Sequence, residues 1–211
     1  MTASGEPPRG TRPCAFAEAV VDLAGRVTGP VFDPHGIDAL VELAGAPRDG
    51  LCRRVAVVGA VDADDVAATL RWAAAHRVAV AVPWTGFAGD PLVPTVVVTT
   101  SRVDRITVEP HTGIVAAGIG ASWAGVAAAA RRHDLPPPWT GAGSLSDTVR
   151  ALGPCGVPAV RAVTVVGGDG VVRQIGPAGE PDLWATLRTR PGAADVLGVI
   201  TGLELRPEPL L

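Results

Sequence analysis

The chain has 211 residues, 47% of them hydrophobic and 18% charged, with a formal net charge of −3. That balance describes a globular protein with one sizeable core and excludes a disordered chain. It also offers no basic footprint for nucleic acid, because the arginines are scattered or occur as the pairs Arg53-Arg54 and Arg131-Arg132. Tyr is absent, so no step can use a phenol.

Residues 1–13 are polar and rich in Pro and Gly. They read as a loose tail without the layout of a signal peptide. Cys14, Cys52 and Cys155 are odd in number and widely spaced. They fit neither a zinc site nor a disulfide framework, and reduced thiols in a cytoplasm are the expectation. No apolar run is long enough to span a bilayer.

Residues 14–26 place Phe16, Val20, Leu23 and Ala24 at helical spacing, and Gly29-Pro30 stops that helix. Asp33-Pro34-His35-Gly36 is a turn, followed by a short helix carrying Ile37, Leu40, Val41 and Leu43 and ending near Gly45. Arg53 to Gly59 is a β-branched run between turn signals, hence a buried strand. Asp62 caps a helix to His76, with Asp64 and Asp65 at its positive end and Val66, Leu70 and Ala73 inward. Val78 to Val82 is the next strand, and together these make a β-α-β unit with parallel strands.

Val96–Thr99, Arg105–Val108 and Ile114–Gly118 follow too closely for intervening helices. They are therefore expected to pair antiparallel. Ala121 to Arg132 is a helix of small residues with Trp123 in the core, broken by Leu135-Pro-Pro-Pro138. Residues 139–160 read as one long irregular segment. Gly167-Gly-Asp-Gly170 between two apolar runs is a hairpin signal. Asp182 caps a helix to about Arg188, and Leu197 to Leu205 is the last strand. The expected fold class is α+β in two lobes, residues 14–92 and 93–211, meeting across one cleft.

Several phrases, in this order, resemble the FAD-linked oxidases of the p-cresol methylhydroxylase, vanillyl-alcohol oxidase and berberine bridge enzyme type. Val55-Ala-Val-Val58 with Asp64-Asp-Val66 and Ala73-Ala-Ala-His76 looks like the opening strand and helix. Val80-Ala-Val-Pro83 looks like the strand before the pyrophosphate loop. Thr99-Thr-Ser-Arg-Val103 with Val108-Glu-Pro110 is similar to "D-L-S-R-M … V … D-P". Val115-Ala-Ala-Gly118 with Ser122-Trp123 is similar to "V-x-A-G-A-x-W". Ala162-Val-Thr-Val-Val166 with Asp169-Gly170, Asp182-Leu-Trp-Ala-Thr-Leu-Arg188 and Gly198-Val-Ile-Thr201 complete the series.

The resemblance implies a two-lobed FAD-binding domain, with a small β-α-β lobe and a larger sheet flanked by helices. It implies FAD contacts at Thr85, Gly86, Gly141, Gly143, Ser144, Gly198, Val199 and Ile200. The family's R-G-G-G-H loop is here Pro83-Trp-Thr-Gly-Phe87. Phe87 thus stands where many members carry the His linked to flavin. Leu145 stands where berberine bridge enzyme-like members carry a second anchoring Cys. The flavin is therefore expected to be non-covalent, if one is bound at all. The family's substrate domain follows the Gly198–Thr201 strand, and the chain reads as the FAD-binding half alone.

Two readings follow, an oxidoreductase-like flavoprotein and a flavin-free descendant. In the second, Trp84, Phe87 and Trp139 line an apolar pocket for a small molecule, with Asp147 and Arg150 as the polar pair, and act as a cyclase or cycloaddition catalyst in natural-product biosynthesis. A homodimer, or a partner covering the face left by a substrate domain, is a further expectation. No metal site is expected.

Overall fold

The structure, a computed structural model, describes residues 15–44, 54–83, 93–138, 141–152, 159–189 and 197–206. In chain order the elements are α1 (Ala15–Ala24), β1 (Val31–Phe32), α2 (Ile37–Glu42), β2 (Arg54–Gly59), α3 (Ala63–His76), β3 (Ala79–Ala81), β4 (Thr95–Thr99), β5 (Ile106–Glu109) and β6 (Ile114–Gly118). Then come α4 (Trp123–Arg131), α5 (Leu145–Leu152), β7 (Val160–Val166), β8 (Val172–Ile175), α6 (Pro181–Thr189) and β9 (Val199–Leu205).

Two sheets result. The first has the order β1-β2-β4-β3, with β4 parallel to both neighbours and β1 antiparallel at the edge. The second has the order β5-β6-β9-β7-β8 and is antiparallel throughout. This is the α+β, two-lobed architecture that the sequence implies.

One strand is corrected. The expectation that residues 96–99 pair antiparallel with the strands after them does not hold. β4 lies between β2 and β3, with Val97 opposite Val57 and Ala81. The change of sheet therefore falls between Thr99 and Ile106, and not at residue 92. The physical reason is burial on both faces. All five residues of β4 are buried, whereas β5 and β6 alternate between more and less exposed positions. A continuous Thr-Val-Val-Val-Thr run is what a parallel central strand needs, since helices cover both its sides.

Those helices are α3 and α2. On one side Ala56, Val58, Val96 and Val98 meet Leu23 of α1 and Val66, Trp72 and Ala73 of α3. On the other, Val57 and Val97 meet Ala39 of α2 and Leu43 just past its end. α3 has a second duty. It also packs on β7 and β8, and Val166 and Val199 of the second sheet join its core cluster. The helix is thus held between the two sheets. Each fully buried Val or Leu in this layer contributes roughly 1.5–3 kcal/mol.

Local chemistry explains the helix ends. Asp62 caps α3 as expected, its side chain accepting from the Asp65 N–H at 2.9 Å. Arg77 closes the helix at φ 55, and the His76 ring stacks on Trp72 with centroids 4.5 Å apart. Trp72, unassigned in the sequence, is only 2% exposed. In α1, Leu23 is buried and Val20 half-buried, but Ala24 is exposed, contrary to the helical spacing.

Two further expectations change. The segment 139–160 is not irregular throughout, since 145–152 forms α5. Asp182 is not the cap of α6. It lies in the first turn, which opens at Pro181 after Glu180, and the Glu180 carbonyl accepts from the Trp184 N–H at 2.8 Å. Proline suits that first helical position because its missing N–H has no partner to lose there. No helix among the described residues is long and apolar enough to cross a membrane.

Candidate functional site

The turn between β6 and α4 ties several candidate site segments together. Gly118 and Gly120 lie hard against the connection from β4. A Cβ on Gly118 would stand 2.1 Å from the Val103 carbonyl oxygen, and one on Gly120 would stand 2.3 Å from that of Ser101. No side chain fits either place, so both glycines are required for backbone contact. The same turn carries two other segments. Ser146 N–H donates to the Ile119 carbonyl at 3.0 Å, Leu145 N–H to Ala121 at 2.9 Å, and Trp123 N–H to Gly143 at 3.0 Å. A bridge joins Ser122 to Ser144. On its other side Ile119 N–H donates to the Thr201 carbonyl at 3.0 Å.

Two sequence-assigned groups are thereby brought together, Gly141–Asp147 and Gly198–Thr201. Gly143 adopts φ +85, and a Cβ there would meet nothing nearer than Asp147 Oδ2 at 3.9 Å. Among the described residues this backbone has no closer neighbour. Ser144 is committed locally. Its hydroxyl accepts from the Asp147 N–H at 3.1 Å and donates to Asp147 Oδ2 at 2.7 Å, with Ser146 Oγ at 2.9 Å. Gly141 is half-buried beside them. The Asp147 carboxylate gives this mouth an acceptor suited to hydroxyl groups rather than to phosphate.

The β9 residues are more deeply placed. Gly198 has φ +140, and a Cβ on it would strike the Val166 carbonyl oxygen at 2.1 Å. Val199 is 8% exposed and packs with α3, while half-buried Ile200 packs on the core of the second sheet. Of this group Ile200 is the side chain left with a partly open face. Trp123 is core, 1% exposed, with its indole N–H donating to Thr148 Oγ1 at 2.8 Å. Leu145 is fully buried in the same core.

Trp84, Thr85, Gly86, Phe87 and Trp139 lie outside the described residues, as do Cys14, Cys52, Cys155 and the side chain of Arg150. Among the described residues no group of His, Cys, Asp and Glu is placed to hold a metal.

A cluster absent from the sequence reading lies beyond the turn. The Glu42 side chain, 4% exposed, meets Arg102 Nη2 at 2.7 Å and Nε at 3.0 Å. Its other oxygen accepts from Thr99 Oγ1 at 2.5 Å and Ser101 Oγ at 3.1 Å. Burial pushes the Glu42 carboxyl up, but the donors from Arg102 and Thr99 outweigh it and hold the group below its ordinary value. The Arg102 guanidinium also lies over Phe32 of β1, 5.9 Å from the ring centre. Sequence spacing holds no hint of a pair with so many residues between its members.

A four-stranded sheet with a parallel centre and a five-stranded antiparallel sheet, joined through the helix packed on both, make up the fold. The chain belongs to the FAD binding domain family of the p-cresol methylhydroxylase type, whose model matches residues 55–176, more than half of the sequence. Among solved structures it is similar to 6-hydroxy-D-nicotine oxidase from Arthrobacter nicotinovorans, with TM-score 0.61 and 19% identity over 85% of this chain and 42% of that one. It is also similar to 4-ethylphenol oxidase from Gulosibacter chungangensis, with TM-score 0.62 and 16% identity over 96% of this chain and 44% of that one. A third likeness is to BBE-like 1 from Physcomitrella patens, with TM-score 0.63 and 12% identity over 89% of this chain and 44% of that one. The chain therefore spans less than half the length of these proteins, and at such identities the likeness is one of fold. No curated protein matches the sequence. Nothing in these comparisons supports the cyclase reading.

Proposed function

We propose that this chain binds FAD non-covalently in the cleft between its two sheets and serves an oxidoreductase as its flavin-holding part. The observation that carries the proposal is the turn at 118–121. It holds the backbone of Gly143 and the end of β9 in one place, inside a domain whose family is FAD-binding. The Asp147 carboxylate, braced by Ser144, suits the hydroxyl-bearing middle of the cofactor, and Gly143 allows close approach of its chain. By resemblance the remaining contacts fall on Thr85, Gly86, Gly141 and the backbone of Gly198, Val199 and Ile200. When bound, FAD would supply a two-electron acceptor.

The non-covalent mode rests on both anchor positions. Phe87 has no nucleophile to offer, and Leu145 is fully buried in the core of the second sheet, turned away from solvent. The test is a melting titration. With FAD at a hundred times its dissociation constant the protein gains about 2.7 kcal/mol of stability. An unmoved melting temperature at saturating FAD overturns the proposal.

A further inference from the structure

The two candidate site segments do not hang on the second sheet alone. Both are bonded to the 118–121 turn, through Ile119 and Ala121 on one side and through the Thr201 carbonyl on the other. That turn is in turn wedged on the connection between the sheets. Gly120 N–H donates to the Val103 carbonyl at 2.9 Å, Gly118 N–H to Arg105 at 2.9 Å, and the two glycines leave no gap. The connection is held by backbone bonds at Thr99, Thr100 and Val103 and, through side chains, by a carboxylate. Glu42, on a helix of the first lobe, receives donors from Thr99, Ser101 and Arg102 together. Its carboxylate lies close enough to the end of β2 that a Cβ on Gly59 would stand 3.2 Å from Glu42 Oε1 and 3.0 Å from Arg102 Nε.

We propose that Glu42 is a positioning residue for the flavin site, fixing the 99–103 connection and through it the turn that carries Gly143–Ser146 and Thr201. The proposal rests on the FAD reading above. Its physical basis is that four hydrogen bonds to one buried carboxylate leave the connection a single arrangement, and the rigid backbone contacts transmit it. Among the described residues Glu42 bonds Thr99, Ser101 and Arg102 and none of Gly141–Asp147 or Gly198–Thr201, so its effect on the cofactor is indirect.

The test compares wild-type protein with Glu42→Gln, which keeps the shape and removes the charge. Three readouts are taken: FAD affinity by flavin fluorescence, the visible circular dichroism of bound flavin, and the near-ultraviolet spectrum of the protein. Glu42→Gln is expected to keep the near-ultraviolet spectrum, bind FAD about tenfold more weakly and alter the visible band. Should it not fold, Arg102→Gln is judged by the same readouts. Asp22→Asn, in an exposed pair on α1, is the control and leaves FAD binding unchanged. If wild type binds FAD and the folded variant binds it with equal affinity and an identical visible band, the positioning role is overturned and the FAD reading stands. If wild type binds no FAD, both fall together.

Discussion

The Arg71 guanidinium donates to the backbone carbonyl of Gly170 at 2.6 Å. This bond ties the helix of the β-α-β unit to the β7–β8 hairpin of the other sheet. Gly170 has φ +70, and a Cβ there would stand 2.5 Å from Arg71 Cγ and 3.0 Å from the Ala67 carbonyl oxygen. Gly170→Ala therefore combines backbone strain with a clash and is expected to cost about 2–4 kcal/mol in urea unfolding. Arg71→Met keeps the stem and loses the charged donor, for about 1–2 kcal/mol. Equal effects of the two variants would contradict this account of the joint.

Asp65 is a second joint. Its carboxylate, 3% exposed, accepts from the backbone N–H groups of Thr28 at 2.7 Å, Gly29 at 2.9 Å and Val61 at 3.0 Å. Asp65→Ala strands these donors, of which the Gly29 N–H is buried, and is expected to cost about 2–4 kcal/mol, since a buried unsatisfied group costs about 1–3 kcal/mol. Asp65→Asn keeps one carbonyl oxygen and falls between. Gly29→Ala is also destabilising, because its Cβ would stand 2.1 Å from the Gly59 carbonyl oxygen. Thermal melts of the three variants check the order.

The core of the second sheet depends on Trp123. Trp123→Phe loses the bond to Thr148 while keeping most of the bulk, for about 1–2 kcal/mol. Trp123→Ala opens a cavity, for about 3–5 kcal/mol. Chemical denaturation of both variants separates the polar from the apolar share.

The pH dependence of stability follows from Glu42. Its carboxyl is held below the ordinary value of 4.5, so the folded state binds its proton later than the unfolded state. That contribution is complete above the unfolded value and is lost as pH falls through the lowered folded value. Wild type is therefore expected to lose stability on acidification below the ordinary glutamate range. The exposed Asp169, held low by Arg173 and the Val171 N–H, acts in the same direction. Glu42→Gln flattens the acid limb of the stability–pH curve, and an unchanged slope contradicts the assignment.

Much of the fold was legible because local signals agreed with it. Asp62, the inward Val66 and Ala73, and the Gly167–Gly170 turn each acted where the sequence placed them. In β4 the close spacing to the next strands points to antiparallel pairing, while its unbroken apolar run is the mark of a strand covered on both sides. Gly and Pro on both sides of α5 mask an eight-residue helix in the sequence. Gly143 and Ser144, assigned through a family phrase, lie on the segment that the 118–121 turn holds. Glu42 is not legible in the sequence, since its partners Thr99, Ser101 and Arg102 meet it only after the first sheet has folded.

The central claim is that this domain holds FAD without a covalent bond. The most direct measurement is the visible absorbance of the protein after incubation with FAD and gel filtration, followed by acid precipitation. The account predicts a flavin band that elutes with the protein in near-stoichiometric amount and moves entirely to the supernatant on precipitation. A colourless protein peak, or colour that stays with the pellet, would contradict it.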